Sequence, residues 1–513
     1  MLSANSLPSI PPAGWAVFAI VAAMLVAIAP SSASAQSPSR SSSNLAPHPA
    51  ASRVSALLLS DVHLDPYADP AKVAKLNAAP VSEWPAILGA PASPAQSQDL
   101  SALQTACPVR GFDTPNILWQ SSLHAIHTDA ARARFVTLSG DLLAHSFDCK
   151  FKALLPTAAH ADYLSFVEKT IRYVVSSLRE TLPGVPIYVG LGNNDSGCTD
   201  YQLDPTADEF LTLTAKIIEE ALPEQDRAGL LATSPAVFAS TGSYAAQLAG
   251  VPNTRILVLD DLFQSTRYAT CGGKPDATGA TAQLAWLKAQ LADARDHHEH
   301  VWVMGHIPPG VDLYGTGRRL MTICAGGTPQ MFLGSESLAE ILAANADIVR
   351  LALFGHTHSD EMRLLTPEVS QPLDGAPAKS AGVPLKIVGS ISPVNGNRPT
   401  FTLAEINPVS ATMDDYTVFM ASNLTGVGTT WSPEYTYSTA FHKTAFDSAA
   451  LTGLIKDFQA DPSARSAASQ AYLRNYFPGD ISSLIQFAWP QYTCAMNHDS
   501  PAAFAGCVCA TRK

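Results

Sequence analysis

The sequence predicts an α/β fold, and three observations carry that prediction. Short apolar runs alternate with longer segments of helical spacing. The runs are continuously apolar, which suits strands buried on both faces. Several of them end in polar residues able to do chemistry, at the strand end where open α/β sheets place ligands.

The first segment reads as an address. Trp15 to Ile28 is a short apolar run, broken by Pro30 and followed by Ala33-Ser34-Ala35 as a small-x-small cleavage site before Gln36. That is the layout of a secretory signal over residues 1–35, although the first Lys or Arg is Arg40. The run is short for a bilayer span, and no later segment is long and apolar enough to cross one. The expectation is a secreted or periplasmic protein with no transmembrane segment beyond the signal. Residues 36–52, rich in Ser, Pro and Ala, read as a flexible linker.

Alternation begins at residue 53. Strands are expected at Val54–Leu59, Phe135–Leu138, Ile187–Leu191, Ile256–Asp260, Val301–Met304 and Val349–Phe354. Helices are expected at Ala158–Leu182, Thr281–Arg295 and Ser337–Ala344; in the second, Leu284, Leu287 and Leu291 share one face. Leu385–Val388, Thr400–Ile406 and Tyr416–Ala421 read as later strands, and Phe446–Phe487 as mostly helical. An α/β domain over 53–425 and a C-terminal helical, disulfide-containing extension over 426–513 follow.

A chain of 513 residues with a net charge of −12 lacks the basic balance of a general nucleic-acid binder, so no nucleic-acid binding is expected. A phosphorylated substrate remains compatible, because bound divalent cations invert the local field. Eight cysteines follow the signal: Cys107, Cys149, Cys198, Cys271, Cys324, Cys494, Cys507 and Cys509. In an exported chain they read as disulfides. The last three are expected to staple the tail, within itself or back to the body.

Five motifs stand at the strand ends: Asp61-Val62-His63; Gly140-Asp141 with His145; Gly192-Asn193-Asn194-Asp195; Gly305-His306; and Gly355-His356-Thr357-His358. Carboxylate, imidazole and amide oxygen together suit zinc, manganese or iron. Two such ions about 3.5–4 Å apart can clamp a phosphate for in-line attack. In order and spacing the motifs resemble those of the calcineurin-like metallophosphoesterases. The resemblance implies a metallophosphoesterase-type β-sandwich flanked by helices (α/β/β/α), with a phosphoesterase domain over 53–425. It assigns one ion to Asp61, His63, Asp141 and His358. The second ion takes Asp141, Asn193, His306 and His356, so that Asp141 bridges. Two divalent metal ions are implied, zinc foremost and manganese or iron as alternatives, with a metal-bridging hydroxide as nucleophile.

One position departs from the family. Its third motif carries a His that donates a proton, and here Asn194 stands instead. An amide is no general acid at useful pH. His145 becomes the catalytic candidate, because the acid sphingomyelinase-like branch has a second active-site His there; Asn194 is left to orient the phosphate. Gly111-Phe112-Asp113-Thr114-Pro115 after Cys107, Gly242-Ser243-Tyr244, Trp286-Leu287 and Ser390 to Pro399 also resemble the acid sphingomyelinase and endopolyphosphatase branch. About twenty-five residues separate the signal from Asp61, too few for the lipid-extracting saposin domain of acid sphingomyelinase.

The expected activity is metal-dependent phosphodiester or phosphoanhydride hydrolysis, with a small-molecule, lipid or polyphosphate substrate. Endopolyphosphatase or nucleotide phosphohydrolase activity is the nearest alternative, and a degenerate metal-binding non-enzyme a further one. A purple-acid type phosphatase would need a Tyr ligand just after Asp141, where Leu142 and Leu143 stand.

Overall fold

The structure is a computed structural model that describes residues 52–205, 209–227, 230–231, 235–367, 382–479 and 483–510. The expected signal, and all of the linker but its last residue, lie outside the described residues.

Among the described residues, thirteen strands form two sheets. In chain order they are β1 (Val54–Leu59), β2 (Phe135–Ser139), β3 (Ile187–Gly190), β4 (Leu230–Leu231), β5 (Tyr244–Gln247), β6 (Thr254–Val258) and β7 (His300–Met304). There follow β8 (Val349–Phe354), β9 (Glu361–Leu365), β10 (Val383–Ile387), β11 (Thr400–Ile406), β12 (Met413–Ala421) and β13 (Trp431–Thr436). One sheet has the order β13-β12-β11-β1-β2-β3, the other β4-β5-β6-β7-β8-β10-β9. Each has a parallel part: β1-β2-β3 at one end of the first, and β6-β7-β8-β10 within the second. These are the continuously apolar strands, and they are buried on both faces as such runs require.

The sheets pack against each other. The Phe135 ring of β2 meets the edge of Trp302 of β7 with centroids 5.7 Å apart. The Tyr244 hydroxyl of β5 donates to the Val189 carbonyl of β3 at 3.0 Å. Helices Asn116–Asp129 and His160–Thr181 occupy the crossovers between parallel strands of the first sheet, and Thr278–Asp296 packs on β6 and β7 of the second. The fold is thus the expected α/β sandwich of sheets flanked by helices.

The region after residue 425 is mostly helical, but it opens with a strand. β13 pairs antiparallel to β12 at the sheet edge. Its residues are half-buried or exposed, and Pro433 sits within it. An edge strand tolerates proline, and this one carries no apolar run to announce it. The helices that follow share the main core through Phe441, Phe458, Tyr472 and Trp489. Four disulfides join Cys107–Cys149, Cys198–Cys271, Cys324–Cys509 and Cys494–Cys507. The tail is therefore stapled both within itself and back to the body.

Candidate metal centre and active site

Strand ends deliver the candidate donors. The loops after β1 and β2 are joined by backbone hydrogen bonds, Asp61 N–H to the Gly140 carbonyl at 3.1 Å and His63 N–H to the Asp141 carbonyl at 2.9 Å. Asp61, His63, Asp141, His356 and His358 all take positive φ, at 49°, 43°, 55°, 72° and 59°. Each such non-glycine residue costs of order 1–3 kcal/mol, and such strain gathers at functional sites. The motif glycines make room. A Cβ on Gly355 would collide with the Ser60 hydroxyl, and one on Gly192 with the Asp141 carboxylate.

Two donor sets meet at Asp141. On one side Asp61 Oδ1 lies 3.2 Å from His358 Nε2, and Asp141 Oδ2 lies 3.3 Å from His63 Nε2. The His63 and His358 Nε2 atoms are 3.2 Å apart. On the other side His306 Nε2 lies 3.1 Å from Asp141 Oδ2, and His356 joins that pair with ligand atoms all within 4.8 Å of one another. Carbonyls fix the ring orientations. His63 Nδ1–H donates to the Leu143 carbonyl at 2.8 Å and His306 Nδ1–H to the Ser139 carbonyl at 2.7 Å, so each turns Nε2 inward.

The donor chemistry fits divalent cations. Asn193 Nδ2 donates to Asp200 Oδ1 at 2.7 Å, while its Oδ1 is buried without a hydrogen-bond partner. Unsatisfied buried acceptors are costly in a folded protein, and cations satisfy them. Electrostatics point the same way. Burial pushes the Asp61 carboxyl up, but His358 and His63 override it and hold it well below the usual carboxylate range. Burial alone would depress His306; Asp141 instead raises it to about 10. His356 is pushed down to about 3 by burial and then by His306. Imidazoles competing for protons beside two carboxylates are what a pair of cations would replace.

His145 is set above the first donor group. Its ring stacks on His63 with centroids 4.2 Å apart and lies 6.0 Å from His358. Its Nδ1 meets Asp113 Oδ1 at 2.8 Å, and its backbone N–H donates to Asp113 Oδ2 at 2.9 Å. That leaves Nε2 for a ligand. Asn194 turns inward instead, giving its backbone N–H and its Nδ2 to the Asp141 carboxylate at 2.8 and 2.9 Å. Asp195 accepts from Leu142, Leu143 and Gly192 N–H groups and so ties the second and third motif loops together.

Reading the sequence missed the supports. Asp113 was visible in its segment, but nothing local marks it as the partner of His145. Asp261 holds the His306 loop by accepting from His306 and Ile307 N–H groups. Tyr201, itself at φ 60°, places its hydroxyl 3.3 Å from His356 Nε2. The loop Ser390 to Pro399 meets the first motif through Ser392 N–H, which donates to the Asp61 carbonyl at 3.0 Å.

Comparison with known proteins agrees with this geometry. The family model for calcineurin-like phosphoesterases matches residues 56–360, and the chain belongs to that family. Its relatives include a human protein named cyclic GMP-AMP phosphodiesterase SMPDL3A, 22% identical over 351 residues covering 67% of this chain and 69% of that one. A human acid sphingomyelinase-like phosphodiesterase 3b is 23% identical over 405 residues, covering 78% and 81% of the two chains. The chain is a metal-dependent hydrolase of phosphoric esters, of the phosphodiesterase type.

Proposed function

We propose that this is an exported phosphodiesterase or phosphoanhydride hydrolase that works with a dinuclear metal centre. Asp61, His63, Asp141 and His358 would hold one ion, and Asp141, Asn193, His306 and His356 the other. The observation that carries this reading is the pair of buried donor sets sharing the Asp141 carboxylate. When bound, two divalent ions supply the positive charge that offsets the phosphate oxygens and favours ionised water.

The chain's own residues do the rest. Water adds to phosphorus and gives up a proton to solvent. The bond from phosphorus to the leaving oxygen breaks, and the His145 imidazolium gives that oxygen its proton. His145 takes a proton back from solvent before the next turnover. Asp113 keeps the ring turned and charged for this task. Asn194 holds Asp141 with two N–H groups. The leaving alcohol or phosphate and the new phosphate monoester then depart. Four disulfides support an oxidising, extracytoplasmic location. The phosphodiesterase names of the relatives support the reaction class. Zinc is the first choice of metal for this imidazole-rich set, with manganese or iron next.

A substrate panel on the full chain tests the reading: bis-p-nitrophenyl phosphate, ATP, polyphosphate and sphingomyelin, each with and without EDTA. Hydrolysis of at least one, abolished by chelation and restored by a divalent metal, is the expected result. A metal-loaded protein that turns over none of them would sink it.

A further inference from the structure

Arg267 lies across one ring from His356. Its guanidinium carbon sits 3.8 Å from the centroid of Tyr201, and the Tyr201 hydroxyl is 3.3 Å from His356 Nε2. The Arg267 side chain is 60% exposed. Among the described residues its carboxylate neighbour is Asp200, whose Oδ2 stands 3.7 Å away and whose Oδ1 is engaged by Asn193. The guanidinium also hydrogen-bonds the Tyr201 side chain, and with five N–H donors on one exposed group it retains others for a ligand.

The position is built. The Cys198–Cys271 disulfide ties the two segments that carry Tyr201 and Arg267. Leu203 N–H donates to the Ala269 carbonyl at 3.1 Å, and Ala269 N–H returns the bond to the Tyr201 carbonyl at 3.1 Å. On the far side Thr266 N–H donates to the Phe332 carbonyl at 3.0 Å, and the Phe332 ring lies 5.5 Å from His356. The backbone around Arg267 is thus anchored to both residues that flank the His356 imidazole. One ring separates this exposed cation from His356, a candidate metal ligand.

We propose that Arg267 is a specificity-determining residue that binds a second anionic group joined to the scissile phosphate. The site then favours phosphoanhydrides and nucleoside polyphosphates over diesters whose other side is neutral or cationic, such as a phosphocholine. This inference rests on the function proposed above. A guanidinium pairs with phosphate through two parallel N–H donors and repels a choline cation at the same position.

The test compares the metal-loaded full chain with Arg267→Met and Arg267→Lys. The readout is the ratio of kcat/KM on ATP to that on bis-p-nitrophenyl phosphate. Arg267→Met is expected to lower that ratio about tenfold, mainly through KM, and Arg267→Lys to recover part of it. Calorimetric binding of imidodiphosphate, which is not turned over, is expected to weaken about tenfold in Arg267→Met. An unchanged ratio with unchanged imidodiphosphate affinity overturns the proposal. So does an equal fall on both substrates, which makes Arg267 a mere support for Tyr201. If the wild-type chain turns over neither of these, nor polyphosphate nor sphingomyelin, the proposed function fails, and the imidodiphosphate affinities still decide the role of Arg267.

Discussion

Asp61, His63, Asp141 and His306, on the floor of the site, are almost wholly buried and sit directly after strand ends. Arg267 and His145, on its rim, are partly exposed and sit on loops fastened by disulfides. The floor gets its rigidity from sheet hydrogen bonds, left-handed backbone and glycine contacts. The rim gets its rigidity from Cys107–Cys149 and Cys198–Cys271. The difference separates two tasks. Cation holding needs donors fixed by the core, whereas choice of substrate and leaving group can be set on loops that change without unfolding it.

The hardest blow to that division is at the shared carboxylate. Asp141→Ala is expected to lower kcat/KM by about 10⁴-fold on every substrate and to reduce bound metal, with the circular dichroism spectrum retained. Equal activity and full metal content would place the chemistry elsewhere. Next is His145→Ala, expected to cost about 10²–10⁴-fold on substrates with poor leaving groups and far less on p-nitrophenyl esters. A uniform loss on both would mark His145 as a floor residue, in keeping with its closeness to His63 and His358.

A smaller effect is expected at its partner. Burial draws the His145 imidazole down, but the Asp113 carboxylate overrides burial, and the net shift is upward. An acid works while protonated, so turnover of poor leaving groups falls as pH rises through that raised value. Asp113→Asn removes the carboxylate and should move the fall to lower pH, at a cost of roughly 10–100-fold. Bound cations act on both proteins alike, so the sign of the difference stands. An unmoved alkaline limb would show that another group supplies the proton.

The mildest change in rate is expected from cutting the rim loose. Cys198→Ser with Cys271→Ser opens a link between residues 73 apart and should lower stability by about 4 kcal/mol in chemical denaturation. Metal content should hold, and the rate loss should be smaller than in the three variants above. Loss of metal from this double variant would erase the line between floor and rim.

Much of the floor was legible because its donors must lie within a few residues of a buried strand, and such strands announce themselves as apolar runs. Val349–Phe354, followed by Gly355-His356-Thr357-His358, reads the same in sequence and in space. Strands with weaker patterns escaped notice. β9 was hidden because Glu361 and Arg363, although buried, pair with each other at 2.9 Å. β13 was hidden at its half-exposed edge.

The sequence by itself determined the apolar strands and the five motifs that end them, because each depends on residues close together in the chain; the family resemblance those motifs carry implied the sandwich and the seven candidate donors. Only the tertiary structure decided that Asp113 faces His145, that Arg267 stacks on Tyr201, and which cysteines pair. Those contacts join residues 13 to 185 positions apart. No local period or propensity encodes them; they follow from how the packed sheets place their loops.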